Sequence, residues 1–233
     1  MLYFPNTRIE SSVERAVASG VTIQAEGIAL VADYTGGVFG VKPSTGGAGD
    51  KFVGVAFNRP IDLFSVARID SGVVPVGLTL LVGQPIMAGT LRVVNASTNA
   101  ALTVVPGAPA AGEVQIDPGN PAQLNFNAAQ AGITARATYR FAPTVAQSVA
   151  MQGMQDPGGP AGHYLGQIGV VRAGDVFTDQ FDTTADWNSG TIDLKLGANG
   201  LFTNGGAGVS VPGYVLAVPS EGSATLGIHI NAD

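Results

Sequence analysis

Apolar residues along this chain fall in short runs separated by turn chemistry, not at the spacing of an amphipathic helix. Gly27-Ile28-Ala29-Leu30-Val31-Ala32, Gly37-Val38-Phe39-Gly40-Val41 and Phe52-Val53-Gly54-Val55-Ala56-Phe57 are apolar throughout. Asp33 to Gly36 and Ser44 to Asp50 divide them with residues that suit tight turns. Such runs predict β-strands. Further strands are predicted at Leu63 to Ile69, Val73 to Val76, Thr79 to Val82 and Leu91 to Val94. Nearer the C-terminus they are predicted at Gln167 to Arg172, Gly190 to Leu196, Gly200 to Thr203, Gly213 to Val218 and Thr225 to Ile230. The uncharged stretch Val73 to Gly89 is broken by Pro75, Gly77, Gly83 and Pro85 and is too short to cross a bilayer comfortably, so it reads as two buried strands.

The clearest alternation lies in residues 90–142, which read as a distinct module. Ile133, Ala135, Ala137, Tyr139 and Phe141 point one way, and Thr134, Arg136, Thr138 and Arg140 the other. Leu124 and Phe126, Val114 and Ile116, and Leu102 and Val104 alternate with polar neighbours in the same way. Four or five antiparallel strands of this length make a small sandwich or barrel. Residues 143–162 are rich in Ala, Gln, Gly and Pro and read as a linker.

Residues 1–20 read as an N-terminal arm. Ser11-Ser12-Val13-Glu14 has capping-box spacing, which predicts a short helix carrying Val13 and Val17 and ended by Gly20. A strand over Val13 to Ile23 is the alternative. Two distant segments also match. Val41-Lys42-Pro43-Ser44, a Gly-rich loop and Val53-Gly54-Val55-Ala56-Phe57-Asn58 parallel Ala217-Val218-Pro219-Ser220, a shorter loop and Leu226-Gly227-Ile228-His229-Ile230-Asn231. The expected organisation is therefore all-β. Antiparallel barrel or sandwich units lie at 21–89 and 163–233, a small β-sandwich-like module is inserted at 90–142, and the two ends form either separate domains or one pseudo-symmetric unit.

Composition sharpens this. Among 233 residues, 33 Gly and 14 Pro disfavour long helices, while 45% hydrophobic residues exclude a disordered chain. Charged residues are 12%, about half the usual share. Eleven basic residues against 17 acidic give a net charge of −6, and the only lysines are Lys42, Lys51 and Lys195, so no direct nucleic-acid contact is expected. The mean hydropathy of +0.28 fits apolar surface buried between chains, or simply Ala, Val and Gly in place of Lys and Glu. Cysteine is absent, which removes disulfides, thiolate metal sites and cysteine nucleophiles. Met1-Leu2-Tyr3-Phe4-Pro5, followed by Arg8, Glu10 and Glu14, has no basic start and no long apolar run, so no signal peptide is expected.

Each candidate for chemistry is weak. His163 lies beside Tyr164 in a Gly- and Pro-rich loop, and His229 alternates with Ile228 and Ile230 on the last predicted strand. No Ser-His-Asp spacing is apparent, and a zinc site is not expected. Thr45-Gly46-Gly47-Ala48-Gly49-Asp50-Lys51-Phe52 resembles a phosphate-binding loop only loosely. Asp50 places a negative charge where phosphate would lie, and Phe52 stands where Ser or Thr would hold magnesium. Asp175, Asp179, Asp182 and Asp186 form one acidic cluster, which reads either as a calcium site or as a solvated loop near Trp187; its spacing is not that of an EF-hand. Asn95-Ala96-Ser97 is a glycosylation sequon that matters only in a secreted chain. No catalytic, cofactor-binding or metal-binding residue is assigned, and no enzyme activity or membrane contact is expected.

One resemblance enters on particular segments: Gly213-Tyr214-Val215-Leu216-Ala217-Val218-Pro219-Ser220 with Leu226-Gly227-Ile228, and Leu124 to Gly132 leading to Ala137-Thr138-Tyr139-Arg140-Phe141. With the Gly/Val-rich strands they cover about half the chain, and the chain resembles the decoration (cement) and minor head proteins of tailed bacteriophages. These motifs are stylistic, and they carry no functional residue across. The resemblance implies a virion protein, assembled in the host cytoplasm, that binds the major capsid protein on the capsid's outer surface, often as a homotrimer. Alternatives are a tail, baseplate or fibre component, a carbohydrate-binding β module, for which one Trp and five Tyr are few aromatics, and a secreted surface protein.

Overall fold

The computed structural model describes residues 7–23, 25–57, 65–143, 147 and 167–232. His163 and nearly all of the predicted linker lie outside the described residues. The strands are β1 (Arg8–Ala16), β2 (Ala29–Asp33), β3 (Gly40–Pro43), β4 (Phe52–Phe57), β5 (Val66–Val73), β6 (Thr79–Leu81), β7 (Arg92–Asn95) and β8 (Ala101–Val105). They continue with β9 (Glu113–Ile116), β10 (Gln123–Phe126), β11 (Thr134–Phe141), β12 (Gln167–Thr178), β13 (Leu194–Leu196), β14 (Phe202–Asn204), β15 (Gly213–Ala217) and β16 (Leu226–Asn231). The fold is all-β, as the runs and turns predict.

The two ends of the chain build one sheet, in the order β15-β16-β12-β4-β2-β3, with β1 also paired to β12. A parallel bridge from Val17 to Val41 and a hydrogen bond from the Ala18 N–H to the Val41 carbonyl bring β1 round to β3. Strands β1, β12, β4, β2 and β3 thereby form a nearly closed barrel. Leu30, Val41, Ala56, Ile168 and Val170 fill it, with Val13 and Val17 from the N-terminal arm.

The far face of the same strands is buried too. Ala29, Val31, Val55 and Val171 pack there against Leu226, Ile228 and Ile230 of β16, the β13-β14 hairpin, Phe181 and Trp187. Burial on both faces is why β2 and β4 read as continuous apolar runs and not as alternation. In β4 the register slips by one residue against β2. As a result Val53 and Ala56 face the barrel core while Phe52, Val55 and Phe57 face the other.

The predicted helix at Ser11 to Glu14 is a strand in the structure. Residues of β1 alternate between exposed and half-buried along its whole length. Pairing with β12 from Arg8↔Asp175 to Ala16↔Gln167 satisfies a long row of backbone groups, which a single helical turn could not match.

The second sheet runs β5-β11-β7-β8-β9-β10-β6 and is inserted between β4 and β12. It takes in β5 and β6 as well as residues 90–142, and its β8-β9 pair is parallel. Its ends approach each other, since a Cβ on Gly72 of β5 would lie 2.7 Å from Leu80 Cδ1 on β6. Val93, Val114, Leu124, Phe126, Tyr139 and Phe141 form its core. Val73 to Gly89 does not contain two buried strands. Beyond the last residue of β5 it holds only β6, with Leu81 exposed and Val76 on a turn at 93% exposure, while Val74, Val82 and Ile86 reach the core.

The two matching segments occupy partly equivalent places. Strands β4 and β16 both pair antiparallel with β12, and Gly54 and Gly227 both lie close against it. Their first strands differ: β15 pairs directly with β16, whereas β2 separates β3 from β4.

Candidate interaction surfaces

The structure disperses the four clustered aspartates, so they line no common cation site: Asp182 and Asp186 lie in the partly exposed loop around Trp187, whereas Asp175 and Asp179 do not. Asp175 pairs with His229, and Asp179 is 2% exposed beside Arg140. Asp182 caps a turn, accepting from the Thr184 N–H and hydroxyl. Asp186 accepts from the Asn188 N–H and pairs with Arg92 at 3.1 Å. Trp187 is buried, edge-on to Phe181, and its indole N–H donates to the Asp182 carbonyl. Among the described residues no three His, Asp or Glu side chains come together as metal ligands. The groove lined by Arg92, Arg136, Thr183, Trp187, Asn188 and Pro219 encloses about 10 Å3, room for one water.

The Gly-rich loop closes on itself. Asp50 Oδ2 accepts from the Thr45 N–H at 2.7 Å and the Gly46 N–H at 3.0 Å, and Oδ1 accepts from the Thr45 hydroxyl. The carboxylate thus occupies the backbone donors that a phosphate would need. Ser44 then ties the loop to the 197–200 turn, donating to the Gly197 carbonyl and accepting from the Gly200 N–H.

Two polar groups hold the inserted sheet, one buried and one half-buried. Arg140 was expected to face outward, but it is 4% exposed and crosses to the other half of the protein. Its Nε donates to Ser65 Oγ, Nη1 to the carbonyls of Asp179 and Phe181, and Nη2 to the Ser65 carbonyl and Gln180 Oε1. All five guanidinium N–H groups are therefore used. Burial pushes the Arg140 pKa down, and the charges of Asp179 and Asp182 oppose that. The Thr183 hydroxyl adds a hydrogen bond to the Thr90 carbonyl across the same junction.

The second group is Asp70, which accepts from Arg68 Nε at 2.9 Å, the Tyr139 hydroxyl at 2.6 Å and the Gly83 N–H at 2.8 Å. Burial pushes its pKa up, but the hydrogen bonds from Arg68, Tyr139 and Gly83 outweigh this and hold it below the usual carboxylate range. Burial and the neighbouring Asp70 push the Tyr139 hydroxyl well above its ordinary value, so it stays a donor.

A depressed folded pKa contributes stability that is complete above the unfolded value of about 3.9 and is lost as pH falls through the folded value. Asp70→Asn should therefore unfold in less urea at pH 7 and lose stability less steeply than wild type below about pH 4. Urea midpoints measured from pH 5 to pH 2 check this, and equal slopes for the two proteins would refute it.

On the outer face of the main sheet the register aligns four side chains across four strands: Tyr214, His229, Asp175 and Arg8. The Tyr214 and His229 rings stack with centroids 4.9 Å apart, and His229 Nδ1 lies 2.8 Å from Asp175 Oδ1. Tyr214 remains 57% exposed and Leu216 beside it 42%. In the sequence His229 and Asp175 stand out separately, and nothing there links Tyr214 to either. The three lie on different strands, and only pairing brings them together. A second exposed apolar group sits between β2 and β3, where Tyr34 meets Phe39 edge-on and the Arg15 guanidinium lies 5.8 Å from the Phe39 ring centre. No family model matches the chain, no curated protein matches it, and no solved structure matches it.

Proposed function

We propose that the chain is a non-enzymatic virion protein that binds the outside of a bacteriophage capsid as a decoration protein, self-associates and stabilises contacts between capsomers. The observation that carries this reading is the division of labour among its side chains. Among the described residues, several groups able to do chemistry, Arg140, Asp70, Tyr139 and Asp50, are engaged in holding the fold together. Exposed apolar side chains gather on strand β15 and on loop tips, at Tyr214, Leu216, Val218, Tyr34, Val38 and Val76. Such patches suit association with other protein surfaces, and a lattice that repeats one site many times amplifies weak contacts.

Purified protein mixed with mature heads of the particle that encodes it should co-sediment and saturate at a fixed ratio to capsomers. Absence of binding would defeat the capsid reading, and density at the tail or baseplate by electron cryomicroscopy would replace it with a tail role. The exposed Tyr214 ring beside His229 and Asp175 favours one other reading, a sugar-binding platform, because stacking on an aromatic face with adjacent acceptors suits a carbohydrate. A glycan array with no hit removes it.

A further inference from the structure

The geometry points to strand β15 as the site where a second copy of this chain adds to the sheet, giving a two-fold dimer with the main sheet continued across it. The inference deepens the structural reading above and rests on it for its purpose. Among the described residues β15 pairs only with β16, so alternate N–H and C=O groups along its other side point outward. At the other end of this row of strands, β1 meets β3 only through Val17 and Val41, and along Arg8–Ala16 it carries Arg8, Glu10, Glu14 and Arg15, charges that discourage an added strand. A head-to-tail ring would set uncharged β15 against that charged edge, whereas β15 is complementary to itself across a two-fold axis.

The charge pattern favours a second copy. No charged residue occurs from Leu196 to Ser220, although the chain carries a net charge of −6. Two copies therefore meet there without the repulsion their remaining surfaces would impose, and the edge carries no lysine of the kind that blocks such pairing. Tyr214, Leu216 and Val218 supply exposed apolar surface along it. A bulge at Leu216 confines regular pairing to Gly213–Val215, which sets Tyr214 on the axis opposite its own copy.

The test uses the full chain by sedimentation velocity over a range of concentrations. Wild type should be a dimer, and Tyr214→Lys should raise the dimer Kd by about tenfold or more, since like charges meet at the axis. Tyr214 is 57% exposed, so thermal melts should show that Tyr214→Lys and Tyr214→Glu stay folded. Mixing the two variants should restore dimers, an outcome that simple misfolding cannot produce. A monomeric wild type, a trimer, or a dimer indifferent to these substitutions would overturn the pairing. So would a monomer whose edge variants lose capsid binding, because β15 would then serve the capsid and not a second copy. Capsid binding is measured separately on the same proteins. Intact dimers that fail to bind heads would leave the edge pairing standing and remove the decoration role.

Discussion

Replacing Arg140 with Met should cost about 3–5 kcal/mol of folding stability, the range for breaking a buried charged network by removing one partner. The side chain enters from β11 of the inserted sheet and spends all five donors on the other half of the protein and on Ser65. Methionine fills much of the same space but donates nothing. The carbonyls of Ser65, Asp179 and Phe181 and the Gln180 side chain would lose their guanidinium donors in a buried junction, at about 1–3 kcal/mol for each group left without a partner. The negative charges of Asp179 and Asp182 would also lose the cation they face. Arg140→Lys keeps the charge but not the planar fork, so it should recover only part of the loss. Urea titrations of the three proteins measure this. A loss below about 1 kcal/mol for the Met variant would mean that the junction is held by its apolar contacts alone.

Gly54→Ala should be comparably damaging, at about 3 kcal/mol or more, because it combines backbone strain with a steric clash. Gly54 has a φ of +153°, which side chains rarely adopt, and a Cβ there would lie 2.3 Å from the Val171 carbonyl oxygen and 2.5 Å from Val170 Cγ1. The residue sits between β2 and β12 in the middle of the barrel, where β4 shifts register. The Val171 carbonyl cannot retreat without disturbing the β4-β12 ladder, and Val170 is fully buried in the barrel core. Gly49→Ala is the control. Nothing lies within 4 Å of a Cβ there, so its stability should stay within about 0.5 kcal/mol of wild type. Thermal melts of the two variants side by side would expose an error in either expectation.

Much of the local conformation is legible in the residues. The alternation from Ile133 to Phe141 marks β11, and those at Val114 with Ile116 and Leu124 with Phe126 mark β9 and β10. Asp50, whose charge argues against a phosphate loop, is the residue that fills the loop's donors. The failures have a common form. Arg140 sits on the polar side of a correctly read alternation, yet that side meets a second layer. Ser11 to Glu14 satisfies a local helix signal that pairing along β12 overrides. Asp175 to Asp186 are near in sequence, yet they leave the end of β12 in different directions to different partners.

By itself the sequence determined the all-β class, the turns and most strand positions. Those follow from steric preference and from apolar spacing within a few residues, which every segment carries with it. It also excluded thiol chemistry through the absence of cysteine. Only the tertiary structure decided that the two ends share one sheet, that β1 brings the barrel nearly to closure, and that the inserted sheet is locked by Arg140. It alone decided that Tyr214, His229 and Asp175 meet beside an open edge. The reason is that register, and the layer each face packs against, are set by strands far apart in the chain, and no local pattern records which strand the partner will be.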